Sequence, residues 1–371
     1  MTERERFIKT MTFQPVDRVP NHELGYWPQA YDRWLTEGLP PDAFKMNWFE
    51  GEDFLHLDRR EFVPVNLGMI PGFDYEVLEE TDRHIIARHG TGYVTKALKD
   101  GTSRGGRMSM DQYMRFAVET PEDFAALKFR YNAETPERYP DNFDELAKAW
   151  NEGDRPVCLC HNCVGGGLYS NMRIWMGTEN LSLAFYDQPK LVHEMLEFIA
   201  DFMIEGLHRA LDTVRIDYWN YFEDFAFKNG PLISPAIFRK FFLPHYIRIN
   251  DFLRAHGVNI ITLDSDGNTE ALLPLLIEAG ITGTWPCEIA SDMEPLRLRK
   301  EYGRDLTFSG GIDKRELAKD RAAIDREIMR KVPELIADGG FIPHVDHTVP
   351  PDVSYDNFMY YMEVKQKVLG G

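Results

Sequence analysis

From Arg155 onward the chain repeats one kind of unit: a short apolar run, a corner of polar residues or glycine, then a stretch with helical spacing of apolar side chains. The corners carry Asp266, Glu288, Gly311 and His347, which lie 22, 23 and 36 residues apart. Strands that each feed a helix at this spacing pair in parallel, because a parallel pair needs a crossover of about a dozen residues or more. A (β/α)8 barrel gathers such corners on one face, where they meet a single ligand. A doubly wound open sheet is the alternative, but no glycine fingerprint follows a first strand. We therefore expect an α/β fold, a TIM-type barrel forming one domain over residues 1–371.

The units can be followed in order. A strand is expected over 157–163, and Pro189 opens a helix whose inner face holds Leu191, Met195, Phe198, Ile199, Phe202 and Met203. Residues 215–225 are the next strand, with Ser234 capping the helix that Pro235 starts. The run 259–268 (Asn-Ile-Ile-Thr-Leu-Asp-Ser-Asp-Gly-Asn) reads as a buried strand ending in two acids. A helix over 271–279 stops at Gly280, a strand covers 283–288, and Ser291 with Glu294 has the spacing of a capping box. Strand and corner recur over 306–313, a long helix ends at Gly339 and Gly340, and 341–347 closes the series before a terminal helix over 358–368.

The N-terminal part is less regular. A short helix over 4–11 leads into an extended segment near 21–24 that carries His22 and Glu23, and a helix is expected over 42–48. Residues 75–98 alternate branched or aromatic residues with charged ones, interrupted at 89–92. We expect a hairpin excursion, 72–110, near the barrel mouth. The glycines of 101–106 are read as a surface turn, since no strand and helix flank them as a phosphate loop requires. Thr120 caps a helix that begins at Pro121.

With 60 acidic against 42 basic residues the net charge is −18, which disfavours nucleic acid and anionic membranes as partners. A small ligand or a protein partner is expected instead. The first residues lack an apolar core of the secretory kind, and no run of about 18 apolar residues follows, so a cytoplasmic location is expected. Three of the four cysteines crowd into 158–163, too few and too clustered for a disulfide framework, and are read as reduced thiols; Cys160-His161-x-Cys163 would put three ligands in four residues, which suits tetrahedral zinc poorly.

Asp264 and Asp266 stand two apart at a strand end and share a side if the strand stays regular. Two carboxylates so close raise each other's pKa unless a cation or a donor lies between them, so metal binding or a shared proton is expected; helix capping is the plainer use of either. Glu288 ends an apolar strand and needs a partner there, whether metal, proton or arginine. His344, Asp346 and His347 crowd the last corner, where Thr348-Val-Pro-Pro makes a rigid exit and Asp346 is placed to hold a neighbouring imidazole. His161 and Asn162 lie where a strand end should, as candidate substrate contacts. Of Glu223 and Asp224 only one can face the site, and Tyr218, Trp219, Tyr221 and Trp285 are candidates for an apolar slot. No Ser/His/Asp elbow, phosphate loop or His-Glu-x-x-His helix is present.

Several of these stretches together resemble the uroporphyrinogen decarboxylase superfamily over nearly the whole chain: Asp-Arg-Val-Pro (17–20), Val-Pro-Val-Asn-Leu-Gly-Met (63–69), the Glu-Asp to Gly-Pro-Leu-Ile-Ser-Pro segment (223–235), Asp-Ser-Asp-Gly-Asn (264–268), Gly-Gly-Ile-Asp (310–313) and His-Thr-Val-Pro-Pro (347–351). The resemblance implies a (β/α)8 barrel and one of two chemistries. Cofactor-free decarboxylation of a tetrapyrrole or small acid is one. Its branch carries Arg-x-x-Gly-Arg where this chain has Glu23-Leu-Gly-Tyr-Trp27, and its catalytic acid lies near Asp58. The other is metal-dependent methyl transfer between a small methylated compound and a corrinoid protein. That branch binds zinc through His-x-Cys near 264–266 and a Cys near 347, where this chain has Asp264, Asp266 and His347.

By this likeness Asp264, Asp266, Glu288 and His347 are the metal candidates, for Zn²⁺ or another divalent ion. Glu288 and Asp266 are the catalytic candidates, Glu288 completing the metal shell or delivering a proton to the leaving oxygen. His161, Asn162, Tyr218 and Glu223 are the substrate-binding candidates. The implied methyl donor is a small methoxylated compound, and the acceptor a corrinoid carried by a partner protein. A non-catalytic ligand sensor on the same barrel is a third reading, since a fold does not fix a function.

Overall fold

Seven strands pair in parallel, and their order in the sheet is their order in the chain: Glu61–Val63, Val157–Leu159, Tyr218–Phe222, Ile260–Asp264, Gly283–Trp285, Thr307–Ile312 and Phe341–Val345. The computed structural model describes residues 1–44, 53–103, 106–107, 109–159 and 166–370. The last six strands are joined by helical crossovers, of which Pro189–Thr213, Leu243–Ala255 and Arg321–Asp338 build much of the outer wall. Ile260–Asp264 and Phe341–Val345 are buried along their whole length, as strands covered on both sides must be.

Among the described residues seven strands form the parallel sheet, where the sequence pattern led us to expect eight. The segment 21–27 lies across the remaining seam, held by a single parallel bridge between Tyr26 and Val349. Trp27 N donates to Val349 O and Val349 N to Gly25 O, both at 2.9 Å, while Asp58 N reaches Asn21 O at 3.0 Å on the other side. Side chains replace the missing ladder. The Glu23 carboxylate accepts from Val345 N at 3.1 Å, from the Tyr361 hydroxyl at 2.5 Å and from Lys365 Nζ at 2.7 Å, all in the interior.

The helix Glu3–Met11 begins with a capping box of Thr2 and Glu5 and places Phe7 and Met11 beneath the barrel. There they pack against Cys158, Tyr218, Ile260 and Ile342, residues near the N-terminal ends of their strands. Arg4 ties this plug down through Asp217, whose second oxygen accepts from Val157 N at 2.8 Å. The Asp-Arg-Val-Pro stretch acts as a latch: Arg6 binds Asp17 with two bonds of 2.9 Å, and Arg18 grips Asp58 with two bonds of 2.5 and 2.6 Å. Asp58 also accepts from Asn21 N at 2.7 Å.

The excursion is larger than the expected hairpin. Glu76–Glu80, His84–Arg88, Val94–Leu98 and Gln112–Arg115 form a four-stranded antiparallel sheet in that order, so the element runs past residue 110 to 115. Between its last two strands Thr102–Ser103 pairs with Gly106–Arg107. This small ribbon lies on the helix Pro28–Thr36, where Gln29 Nε2 donates to the carbonyls of Gly101 and Gly106. A β-carbon at Gly106 would sit 2.6 Å from Pro28 Cγ, so glycine permits the close approach.

Two other expectations change. The helix foreseen over 42–48 falls from residue 45 onward outside the described residues, as do 160–163 of the strand foreseen over 157–163. Ser291 caps nothing: it ends a single turn, Ile289–Ser291, and the helix starts later at Pro295, whose fixed φ suits a first helical position.

Because Asp58 is buried and holds both Arg18 and the Asn21 amide, Asp58→Asn is expected to lower unfolding stability by about 2–3 kcal/mol. Urea denaturation checks this, and a change under about 0.5 kcal/mol would show that the latch carries no load.

Candidate active site

The corner after Ile260–Asp264 can form because Gly267 adopts φ 80°; a side chain there would meet Phe227 O at 2.7 Å. The corner presents Asp266 to His347, which follows the Phe341–Val345 strand, with Oδ2 and Nε2 3.3 Å apart. The other imidazole nitrogen is 2.8 Å from Thr348 Oγ1, which fixes the ring. Burial pushes the His347 pKa down, but the Asp266 carboxylate beside it prevails and the net shift is upward. Asp266 is held below its ordinary value: burial opposes this, and the His347 hydrogen bond and charge outweigh it.

Asp264 differs from both. Its carboxyl is buried and makes no hydrogen bond to any described residue, and burial, with the charges of Asp266 and Asp224 behind it, pushes its pKa well above the carboxylate range. A carboxyl so placed is neutral unless a cation joins it.

Glu288 lies in the same corner, bound elsewhere. Oε2 accepts from Gly267 N at 2.9 Å and Oε1 is 3.1 Å from Lys314 Nζ. Lys314 opens the short helix Lys314–Leu317 and also reaches Asp346 at 3.3 Å. Burial works against its charge, but Asp346 and Glu288 raise its pKa on balance. Asp346, expected to orient an imidazole, instead accepts from the backbone N–H groups of Ile289 and Lys314 at 3.0 and 3.1 Å. His344 bonds the Val345 carbonyl through Nδ1, and burial pushes it down to about 3, so it is neutral.

The structure thus brings Asp266 and His347 into contact and places Glu288 one backbone amide away from Asp266. The four metal candidates do not converge, however: no three of Asp264, Asp266, Glu288 and His347 present ligand atoms all within 4.8 Å of one another. Lys314 is the reason for Glu288, since it supplies the positive charge that a metal was expected to supply.

Glu223 is not available as a substrate contact. It is fully buried, and its two oxygens accept from the backbone N–H groups of Leu168, Tyr169 and Ser170, from Ser170 Oγ and from the Tyr246 hydroxyl. It therefore anchors the start of the helix Leu168–Met176, an anion at the positive end of a helix. Its neighbour Asp224 turns outward to Arg173. Gly167 is required here, because a β-carbon would lie 2.1 Å from Phe222 O. His161 and Asn162 lie outside the described residues.

Tyr218 stands low in the barrel, against Phe7 at 4.6 Å between ring centres, and lines an interior cavity of about 50 Å³. His22, Arg60, Asn220, Trp285 and His344 share that lining. Asn220 Oδ1 accepts from Thr262 Oγ1 and Trp285 Nε1, both at 2.7 Å, which leaves its buried Nδ2 donors without a partner among the described residues.

Reading the corners residue by residue passed over Lys314 and Asn220. Lys314 stands one place beyond the Gly-Gly-Ile-Asp stretch, where a basic residue at a helix start should have signalled an acidic neighbour. Asn220 sits mid-strand, where nothing in the pattern separates a site residue from core.

With this geometry in hand the chain can be placed among known proteins. Residues 164–368 match the family described as uroporphyrinogen decarboxylase (URO-D). The chain belongs to that family. The uroporphyrinogen decarboxylase of Thermus thermophilus is 27% identical over 185 residues, 49% of this chain and 50% of that protein. The enzyme of the same name from Vesicomyosocius okutanii is 24% identical over 202 residues, 52% of this chain and 51% of that one. The chain spans about half the length of the curated relatives it matches. A solved methyltransferase from Methanosarcina mazei shares the fold over 99% of both chains, with a TM-score of 0.61 and 13% identity. Its likeness supports the TIM-barrel architecture that the seven-stranded sheet displays.

These contacts have two measurable consequences. His347, raised by Asp266, contributes stability that is fully present below its unfolded pKa of about 6.5 and is lost as pH rises through the folded value. In EDTA-treated protein the His347 ring signals should titrate above about 6.5, and Asp266→Asn should bring the midpoint below that value, since burial and the Lys314 charge are then opposed only by the weaker pull of Glu288. An unchanged NMR midpoint would refute the pairing. Glu223→Gln, which sets an amide against a ring of donors, is expected to cost about 2–4 kcal/mol in urea denaturation. An unaltered midpoint would free Glu223 for another role.

Proposed function

We propose that this protein is a metal-dependent methyltransferase, moving a methyl group from a small methoxylated compound to a corrinoid held by a separate protein. The observation that carries the reading is the Asp266–His347 contact beside the unpartnered carboxyl of Asp264. A buried carboxyl without a hydrogen bond, next to a second carboxylate, is stable only with a proton or a cation. Two oxygens and a nitrogen suit Zn²⁺ or another divalent ion, so Asp264, Asp266 and His347 are the residues that would hold it, with side-chain rotation bringing Asp264 to the Asp266–His347 pair. When bound, such an ion polarises an oxygen of the methyl donor.

Glu288 takes a different part. With Lys314 against one oxygen and the Gly267 amide against the other, it is positioned to pass a proton between the Lys314–Glu288 pair and the oxygen that loses its methyl group. The Asp346 carboxylate keeps Lys314 charged and in place. No helix among the described residues is long and apolar enough to cross a membrane. A cytoplasmic enzyme acting with a corrinoid protein, and with the 72–115 excursion beside its mouth, is the setting that this reading supplies.

A second reading, decarboxylation of a tetrapyrrole or small acid without metal, is favoured by the names of the curated relatives. The acid it would use near residue 58 is committed elsewhere: Asp58 is bound by Arg18 and by Asn21 N.

One experiment separates the two. The purified chain is assayed for bound metal and for methyl transfer from a panel of methoxylated aromatic compounds to Co(I) corrinoid, and for optical changes with tetrapyrroles. The methyltransferase reading expects transfer that EDTA abolishes, and a loss of roughly 100-fold or more in His347→Ala, with about one equivalent of metal lost in Asp266→Asn/His347→Ala. Tetrapyrrole binding and turnover in metal-free protein would overturn it in favour of the decarboxylase.

A further inference from the structure

Away from the barrel mouth, the C-terminal ends of two wall helices, Pro189–Thr213 and Leu243–Ala255, bring together His208, Asp212 and His256. His208 and Asp212 are four residues apart and share one face of their helix. His256 is the residue that ends the second helix. One ligand atom from each of the three lies within 4.8 Å of the other two, and His256 Nε2 is 3.7 Å from Asp212 Oδ1.

The tautomer of His256 is set by its surroundings. Nδ1 is 2.8 Å from the Phe252 carbonyl, which can only accept, so Nδ1 carries a hydrogen. In the neutral ring Nε2 then turns a lone pair toward the Asp212 carboxylate, an arrangement that repels unless a proton or a metal cation lies between them. A backbone carbonyl holding the far nitrogen is also how metal-binding imidazoles are commonly oriented. The rings are packed as well: Phe252 lies 4.6 Å from His256 and 4.8 Å from His208 between centres.

We propose that His208, Asp212 and His256 form a binding site for Zn²⁺ or a similar borderline divalent ion, separate from the barrel mouth. Two ligand atoms each about 2.0–2.2 Å from one ion lie at most about 4.3 Å apart, so the 3.7 Å pair spans an ion as it stands. His208 reaches the same ion by a rotation of its exposed side chain, and water completes the shell. The negative ends of two helix dipoles meet here, which favours a cation. His208 and Asp212 are exposed and His256 half-buried, so an ion enters freely and the site joins the two helix ends when filled.

The test uses the full chain carrying Asp266→Asn and His347→Ala, stripped with EDTA, dialysed and titrated with ZnCl₂ by calorimetry at neutral pH. One equivalent should bind and raise the unfolding temperature. Adding His208→Ala or His256→Ala should weaken binding by roughly ten-fold or more and remove the thermal shift, while Glu205→Gln, on the same helix, changes neither. In the unsubstituted mouth background His208→Ala/His256→Ala should likewise remove one equivalent, which covers the case in which the mouth variant fails to fold. Zinc binding that both histidine variants leave unchanged, or no binding once the mouth residues are replaced, would overturn the proposal.

Discussion

The barrel is closed by side chains where its backbone ladder is incomplete. Between the first and last laddered strands the 21–27 segment makes one bridge, and beside its contacts to backbone carbonyls it is held by Glu23 and Asp58, carboxylates taken out of water. Burying a lone charge costs several kcal/mol, so carboxylates in such a place need partners at their oxygens. Lys365 and Tyr361 answer Glu23, from the terminal helix; Arg18 answers Asp58, from the latch. Both ends of the chain are thereby required at the seam. The same requirement explains Asp217 beneath the barrel, where Arg4 and the Val157 amide divide one carboxylate between them.

At the mouth the same rule sorts the acids into different tasks. Glu223 and Asp346 spend their oxygens on helix-start amides and are structural. Glu288 and Asp266 each have a cationic or protonatable partner and remain partly open to solvent, which keeps them usable for chemistry. Asp264 alone has burial without an answer. Residues of one chemical type, gathered at one end of the sheet, thus differ in role because their partners differ.

That sorting also explains what could be read from the chain. The parallel order of the last five strands was legible because each is an apolar run with its own corner, at spacings only crossover helices fill. The convergence of Asp266 with His347 was legible for the same reason: both stand just beyond strand ends in one sheet. Glu223 was misread because its partners, Leu168 to Ser170, lie more than fifty residues earlier, and no local pattern announces that a helix start will arrive there. The excursion was undersized because Gln112–Arg115 is exposed along its length and lacks an apolar face to declare it a strand. Ser291 and Glu294 had a capping spacing, yet Pro295 fixed the helix start and overrode it.

Charge at the mouth bears on which ligand such a site admits. Around the corners the described acids include Asp224, Asp264, Asp266, Glu288, Asp313 and Asp346, while Lys314, Arg173 and Arg315 are already bound to members of that set. A polyanionic tetrapyrrole would approach this field against repulsion, with no unengaged basic cluster among the described residues there to reverse it. Arg60, which makes no ion pair with a described residue, lines the interior cavity with Tyr218 and Phe7, toward the opposite end of the barrel. A neutral methoxylated compound meets no such barrier. The acids that repel an anion are also those that gather a divalent cation, so the electrostatics that count against one substrate class favour the cofactor that the other requires.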